Sequence, residues 1–136
     1  MSNRSIIEQA LTHLANPSTR EQYFHLYADT VVLHGYDGVA PGLDGVKAFY
    51  GYMWNAFPDL SVTAEDYVEE GNKVSVRFEL TGTHQGPFQG IPATGRPIRV
   101  PGITILRFEQ GKCVERWSQL NTLLLLTQLG AFPPPA

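Results

Sequence analysis

The chain has 136 residues, 43% of them hydrophobic and 17% charged, with 10 Lys and Arg against 13 Asp and Glu for a formal net charge of −3. That is enough chain for one domain with one core, and the apolar content excludes intrinsic disorder. Mild acidity argues against nucleic acid or an anionic membrane as partner. The single Cys113 excludes an internal disulfide and a cysteine zinc site, and no apolar run approaches the roughly 20 residues of a membrane span.

The first residues, Ser2 to Ser5, lead into a short amphipathic segment with Glu8 and Gln9, unlike a secretory leader, so a cytoplasmic location is expected. Ile6, Ile7, Ala10, Leu11 and Leu14 recur at helical spacing, and Ser5 with Glu8 fits a capping box. Asn16-Pro17 breaks the pattern. Ser18 with Glu21 makes a second box, opening a short helix through Tyr23, Phe24 and Tyr27. Residues 30–34 are a β-branched run and read as a strand ending at His34. A Gly/Pro-rich loop covers 35–42. Asp44 is the expected cap of a third helix carrying Val46, Phe49, Tyr50, Met53 and Trp54 and closed by Pro58.

From residue 60 the period changes to two. Strands are expected over 60–68, 74–81, 98–108 and 113–120, with turns at 70–72 and 109–112. Alternation puts Val74, Val76, Phe78 and Leu80 on one face, with Ser75, Arg77, Glu79 and Thr81 on the other. In the last strand it groups Cys113, Glu115, Trp117, Gln119 and Asn121 against Val114, Arg116, Ser118 and Leu120. A leucine-rich helix over 122–129 ends at Gly130, and a loose proline-rich tail occupies 132–136. The pattern is α+β: a single domain over 1–131, with a strongly bent antiparallel or mixed sheet wrapped around three N-terminal helices, plus a short C-terminal helix. Such a cone has an interior and a mouth, so a small hydrophobic substrate or ligand is the expected partner.

Four segments come in order: Ala56-Phe57-Pro58-Asp59-Leu60, the loop from Gly82-Thr83-His84 to Gly95, Gly111-Lys112-Cys113-Val114-Glu115-Arg116-Trp117, and Gln128-Leu129-Gly130. Together they resemble the SnoaL-like polyketide cyclase (ester cyclase) family of the nuclear-transport-factor-like superfamily, from about residue 27 to 130. The resemblance implies a cone-shaped fold, a homodimer packed through the sheet, and acid–base ring closure of a carbonyl substrate with no metal or organic cofactor. It also implies an Asp base four residues after the strand Trp. Here that position is Asn121, an amide with no useful basicity.

Other side chains are therefore candidates. His34, at a strand end that the resemblance turns into the pocket, has the pKa range of a general acid or base. His84 belongs to the Gly-Thr-His loop and either does chemistry or fixes that loop. Arg77-Phe78-Glu79 resembles the Arg-x-Asp pair of the limonene-epoxide-hydrolase branch, which would protonate an epoxide oxygen; it lies on the less apolar face, which favours solvent. Asn121 and Gln119 either meet a ligand or tie down the last helix. Tyr36 and Tyr50 are candidate phenol donors, and Trp54, Phe57 and Trp117 candidate cavity walls. The four histidines show no ligand spacing, so no metal site is expected. Cyclase, isomerase or lyase chemistry, epoxide opening, and ligand binding without turnover all stand as readings.

Overall fold

Four helical segments and five strands follow one another in a computed structural model that describes residues 1–131. The expected tail at 132–136 lies outside the described residues. Helix α1 (Asn3–Leu14) buries Ile7, Ala10 and Leu14, one face at the predicted spacing. Its cap is Ser2, whose hydroxyl accepts the Ser5 N–H at 3.0 Å, so the chain turns helical three residues before the expected box. Glu8 instead pairs with Arg4 along the helix at 3.2 Å. The next segment, Arg20–Leu26, is a 3₁₀ helix and not an α-helix, and Thr19 precedes it without a side-chain cap. Three residues per turn put Tyr23 and Leu26 on one buried face.

Strand β1 (Tyr27–His34) starts three residues earlier than predicted and carries Tyr27 and Val31 into the core. Helix α2 (Gly42–Ala56) begins after Pro41, and Asp44 sits in its first turn, where a carboxylate still favours the helix dipole. It buries Val46, Tyr50, Met53 and Trp54. Strands β2 (Ser61–Glu70), β3 (Lys73–Thr83), β4 (Pro97–Glu109) and β5 (Lys112–Leu120) form an antiparallel run. Helix α3 (Thr122–Gln128) closes the described chain.

The sheet order is β1-β5-β4-β3-β2, with β1 parallel to β5. Burial in β4 alternates without a break from Pro97 to Leu106: Ile98, Val100, Gly102, Thr104 and Leu106 face inward, while Arg99, Pro101, Ile103 and Ile105 face outward. The curled sheet thus has an apolar inner face wrapped on the helices and a charged outer face interrupted by Ile103 and Ile105.

One irregularity decides where the chemistry lies. Arg107 pairs with Glu115 and Phe108 with Cys113, so Val114 is an extra residue in β5, a β-bulge. Cys113 is fully buried opposite Phe108 and Tyr27, whereas Glu115, two residues on, reaches the outer face. Simple alternation from Cys113 therefore fails at Val114.

Candidate active site

Beyond the bulge the inward residues of β5 are Arg116, Ser118 and Leu120, paired with Leu106, Thr104 and Gly102. The Arg116 side chain enters the cone. Its Nη1 donates to the hydroxyls of Tyr27, of Tyr23 at 3.1 Å and of Tyr50 at 3.5 Å. Its Nε donates to Thr104 Oγ1 at 2.9 Å. Tyr23, Tyr27, Tyr50 and Thr104 are buried. Among the described residues no carboxylate pairs with this guanidinium; the ion pairs found belong to Arg4, His34, Arg99 and Arg107.

The hydroxyls order themselves, because each carries one proton. Tyr23 donates to Tyr50 at 2.8 Å, so its 2.7 Å contact with Tyr27 must be Tyr27 donating to Tyr23. The chain Tyr27→Tyr23→Tyr50 leaves the Tyr50 proton without an acceptor among the described residues. A second chain ends differently. Thr104 donates to the Trp117 carbonyl at 2.9 Å, Ser118 donates to Thr104 at 2.8 Å, and Tyr36 donates to Ser118 at 2.8 Å. That chain is closed and holds Thr104 Oγ1 towards Arg116 Nε.

Burial raises the Tyr27 hydroxyl well above the ordinary phenol range and raises Tyr36 and Tyr50 too, with Arg116 pulling each partly back. All three are neutral at physiological pH. Burial opposes the Arg116 charge but the tyrosine oxygens around it favour it, and the guanidinium stays protonated. The cone thus holds a half-buried guanidinium with hydroxyls and, among the described residues, no carboxylate around it, and one phenol proton, that of Tyr50, left unused. A cavity of about 20 Å³, room for one water, is lined by Ile7, Leu11, Val62, Phe78, Thr104 and Arg116. Burial lifts the Cys113 thiol to about 11, so it is no nucleophile at neutral pH.

Of the residues singled out from sequence, Tyr36 and Tyr50 join this network. The others lie elsewhere. His34 is on the outer face, its Nε2 2.8 Å from Glu115, its ring stacked on Trp117 at 5.2 Å. Hydrogen bonds from His34, and then from Arg107 at 3.0 Å, hold the Glu115 carboxyl below its ordinary range. Trp117 and Gln119 pair with Ile105 and Ile103 on that same outer face, which corrects the expectation that this set edges the pocket. Glu79 is also outside, bound to Arg99 at 2.7 Å, and exposed Arg77 pairs opposite Ile103. The epoxide-opening pair is therefore not in the cone.

Asn121 caps α3: its Oδ1 accepts the Leu124 N–H at 3.1 Å. His84 is fully buried in a corner of its own, where its Nδ1 accepts the Thr94 N–H at 3.2 Å and its ring lies 5.6 Å from Phe57. Two quoted motifs meet there. Asp59 accepts the Thr83 N–H at 2.7 Å and the Thr83 hydroxyl at 2.8 Å; slight burial raises its pKa, but these bonds outweigh it and leave the carboxyl below its usual value. Phe57 packs on Phe88 as well, and Trp54 packs between Phe24, Tyr50 and the Arg20 guanidinium. Both are wall and corner residues outside the polar network.

Arg116, Tyr23, Tyr27, Thr104 and Ser118 were not singled out. The available signal was Arg116 itself, a charge on the strand face that alternation groups with Leu120.

A family model described as SnoaL-like polyketide cyclase matches residues 5–129. No curated protein matches the chain. Among solved structures, AclR, a candidate hydroxylase from Streptomyces galilaeus, is 27% identical with a TM-score of 0.86, covering 98% of this chain and 84% of that one. TsrD from Streptomyces laurentii is 30% identical with a TM-score of 0.83, covering 97% and 100%. IdmH, a candidate polyketide cyclase from Streptomyces antibioticus, is 29% identical with a TM-score of 0.78, covering 96% and 99%.

Proposed function

The chain belongs to the SnoaL-like polyketide cyclase family, and from that premise we propose that it closes or isomerises a hydrophobic, carbonyl-containing small molecule at Arg116 and the tyrosine hydroxyls. The observation that carries this is the half-buried guanidinium bonded to Tyr23, Tyr27 and Tyr50, with no carboxylate beside it among the described residues. Donors fixed in an apolar interior stabilise an oxygen that gains charge during reaction, and they need no reorganisation to do so. In a ring closure of aldol type, the enol carbon of the substrate attacks its own carbonyl carbon. The carbonyl oxygen then becomes an alkoxide beside Arg116 and Tyr50, and the enol proton neutralises it. The substrate brings its own nucleophile, so the donor-only cone suffices and the family Asp is not required at 121.

The Tyr36-Ser118-Thr104 chain orients Arg116 in this reading, and Tyr50 supplies the unused proton. The test is turnover of a panel of linear poly-β-carbonyl thioesters, with ring closure followed by chromatography and mass. Tyr50→Phe is expected to lower the rate about 100-fold, the scale of one lost oxyanion donor, while Tyr36→Phe lowers it less. An unchanged rate in Tyr50→Phe overturns the assignment. A second reading, ligand binding without turnover, draws on the absence of any proton acceptor beside Tyr50 among the described residues; it predicts binding without product in the wild type.

We also propose a homodimer through the outer sheet face. Val32, Ile103 and Ile105 are 47%, 53% and 38% exposed there, in register with Glu115, Gln119 and Trp117 of β5 respectively. Sedimentation equilibrium is expected to give twice the 15.1 kDa chain mass for the wild type and the single mass for Ile103→Glu. A monomeric wild type would refute this arrangement.

A further inference from the structure

We propose that Phe78 is an aromatic gate over the polar site. Its ring, seated on Gly102, closes the space beside Thr104 and Arg116, and it crosses to Ala64 to admit a single apolar ring of a substrate. This rests on the reading of Arg116 and the hydroxyls as the site, and deepens it by naming the size of what the site takes and the residue that sets it.

The sheet supplies the two seats. Across the inner face Phe78 pairs with Ala64 on β2 and with Gly102 on β4. The ring leans to the glycine: a Cβ on Gly102 would lie 2.8 Å from Phe78 Cε2 and closer still to Cζ. Large side chains on both neighbours would pin a ring in a close-packed interior, whereas glycine and alanine leave it a place on either strand. Ala64 is only part buried, and the β2 register slips directly after it, so the ladder is interrupted on that side of the ring.

The site needs such a movement. The cavity that Thr104 and Arg116 line holds about 20 Å³, one water and no carbon skeleton. Most of its other walls are tied. Tyr23 is bonded through its hydroxyl to Tyr27, Tyr50 and Arg116, and Val76 and Leu106 are aliphatic side chains on paired strands. Phe78 lines the same cavity and moves as one ring. Gly102 lies two residues from Thr104 on the same face of β4, so a ring that leaves Gly102 uncovers space beside the hydroxyl that takes Arg116 Nε. The space vacated is that of one phenyl group, floored by Gly102 with Leu120 opposite. What enters is therefore a single apolar ring or a chain segment of similar bulk.

Proton–nitrogen NMR titration of the full chain with two neutral ketones, cyclohexanone and the bicyclic 2-decalone, tests the gate without turnover. The wild type is expected to bind cyclohexanone about 10-fold more tightly, although the larger ketone has more apolar surface to bury, with the largest shifts at the Gly102 and Thr104 amides. Phe78→Ala should reverse the order, and Phe78→Leu, which keeps more of the core, should narrow it. Ala64→Leu fills the second seat and removes no core group; it should keep the melting temperature and weaken cyclohexanone about 10-fold. Ala64→Val makes the same test with a smaller side chain. These two variants separate a gate from a packing residue, because a ring that only packs on Gly102 is indifferent to position 64. Tighter binding of 2-decalone by the wild type, no binding of either ketone, or undiminished cyclohexanone binding in both Ala64 variants overturns the proposal. Ketone binding that follows these substitutions without ring closure in the wild type would defeat the catalytic reading alone. Ring closure with ketone binding that ignores Phe78 and Ala64 would defeat the gate alone.

Discussion

Arg116→Met is expected to unfold at a higher temperature than the wild type while ring closure falls by about two to three orders of magnitude. The two effects share one cause. The guanidinium is partly withdrawn from water with no carboxylate beside it among the described residues, so the folded state bears part of a desolvation cost that a thioether of similar length does not. Replacing a buried ion pair by well-packed apolar side chains is often neutral or stabilising by about 1–4 kcal/mol, and a lone half-buried charge held by hydroxyls belongs in the lower half of that range. For a chain of this size the lower half of that range is roughly 4–8 °C in Tm. The oxygens that lose Arg116 keep other partners: Tyr23 stays with Tyr27 and Tyr50, and Thr104 with Ser118 and the Trp117 carbonyl. Rate falls because the positive charge facing the developing alkoxide is gone. Differential scanning calorimetry beside the thioester assay checks both. A lower Tm would make Arg116 a structural tie among the tyrosines and remove the argument that it is held for function.

The elements were legible because their periods are clean. The unbroken in–out alternation from Pro97 to Leu106 is the sequence pattern itself, and α1 and α2 bury the stripes that spacing marks. The capping motifs were less reliable. Ser2 captures the first helix before Ser5 can, and Tyr23 and Tyr27 arrive through a 3₁₀ turn followed by a strand. The quoted family motifs mark fold more than chemistry: Asp59 clasps Thr83 and Phe57 packs on His84, which binds the end of α2 to the end of β3.

The site was hidden for two physical reasons. Alternation carries a face assignment only along an unbroken ladder, and the single extra residue Val114 resets it between Cys113 and Glu115. No composition signal marks such a bulge. Arg116 itself drew no reading from the sequence, although a charge at a core position is the kind of local inconsistency that functional sites retain. His34 drew attention for the opposite reason, as a good acid–base residue at a strand end. The parallel register His34↔Trp117 turns it to the outer face with Glu115.

The residue that matters in the His34-Gly35-Tyr36 run is its glycine, and Gly35→Ala is expected to cost about 3 kcal/mol or more of stability and to weaken the site with it. Gly35 has φ +86°, a conformation that costs a side-chain-bearing residue roughly 1–2 kcal/mol. A Cβ there would also overlap the carbonyl oxygen of Ser118, which is backbone and cannot swing aside. Relief requires β1 to move off β5 at the end of the register Leu33↔Arg116 and His34↔Trp117. That motion draws Tyr36 from Ser118, and through Ser118 it loosens Thr104, the acceptor that aims Arg116 Nε. Gly38 is the control. It has φ +77°, but a Cβ at that position meets nothing within 4 Å, so Gly38→Ala carries the conformational cost alone. Urea denaturation of the two variants separates the terms: Gly35→Ala should lose the larger share of stability, and only it should also lose ring closure. Equal losses in both would mean that the close approach of Gly35 to β5 contributes nothing, and that the Tyr36 chain is not what positions the guanidinium.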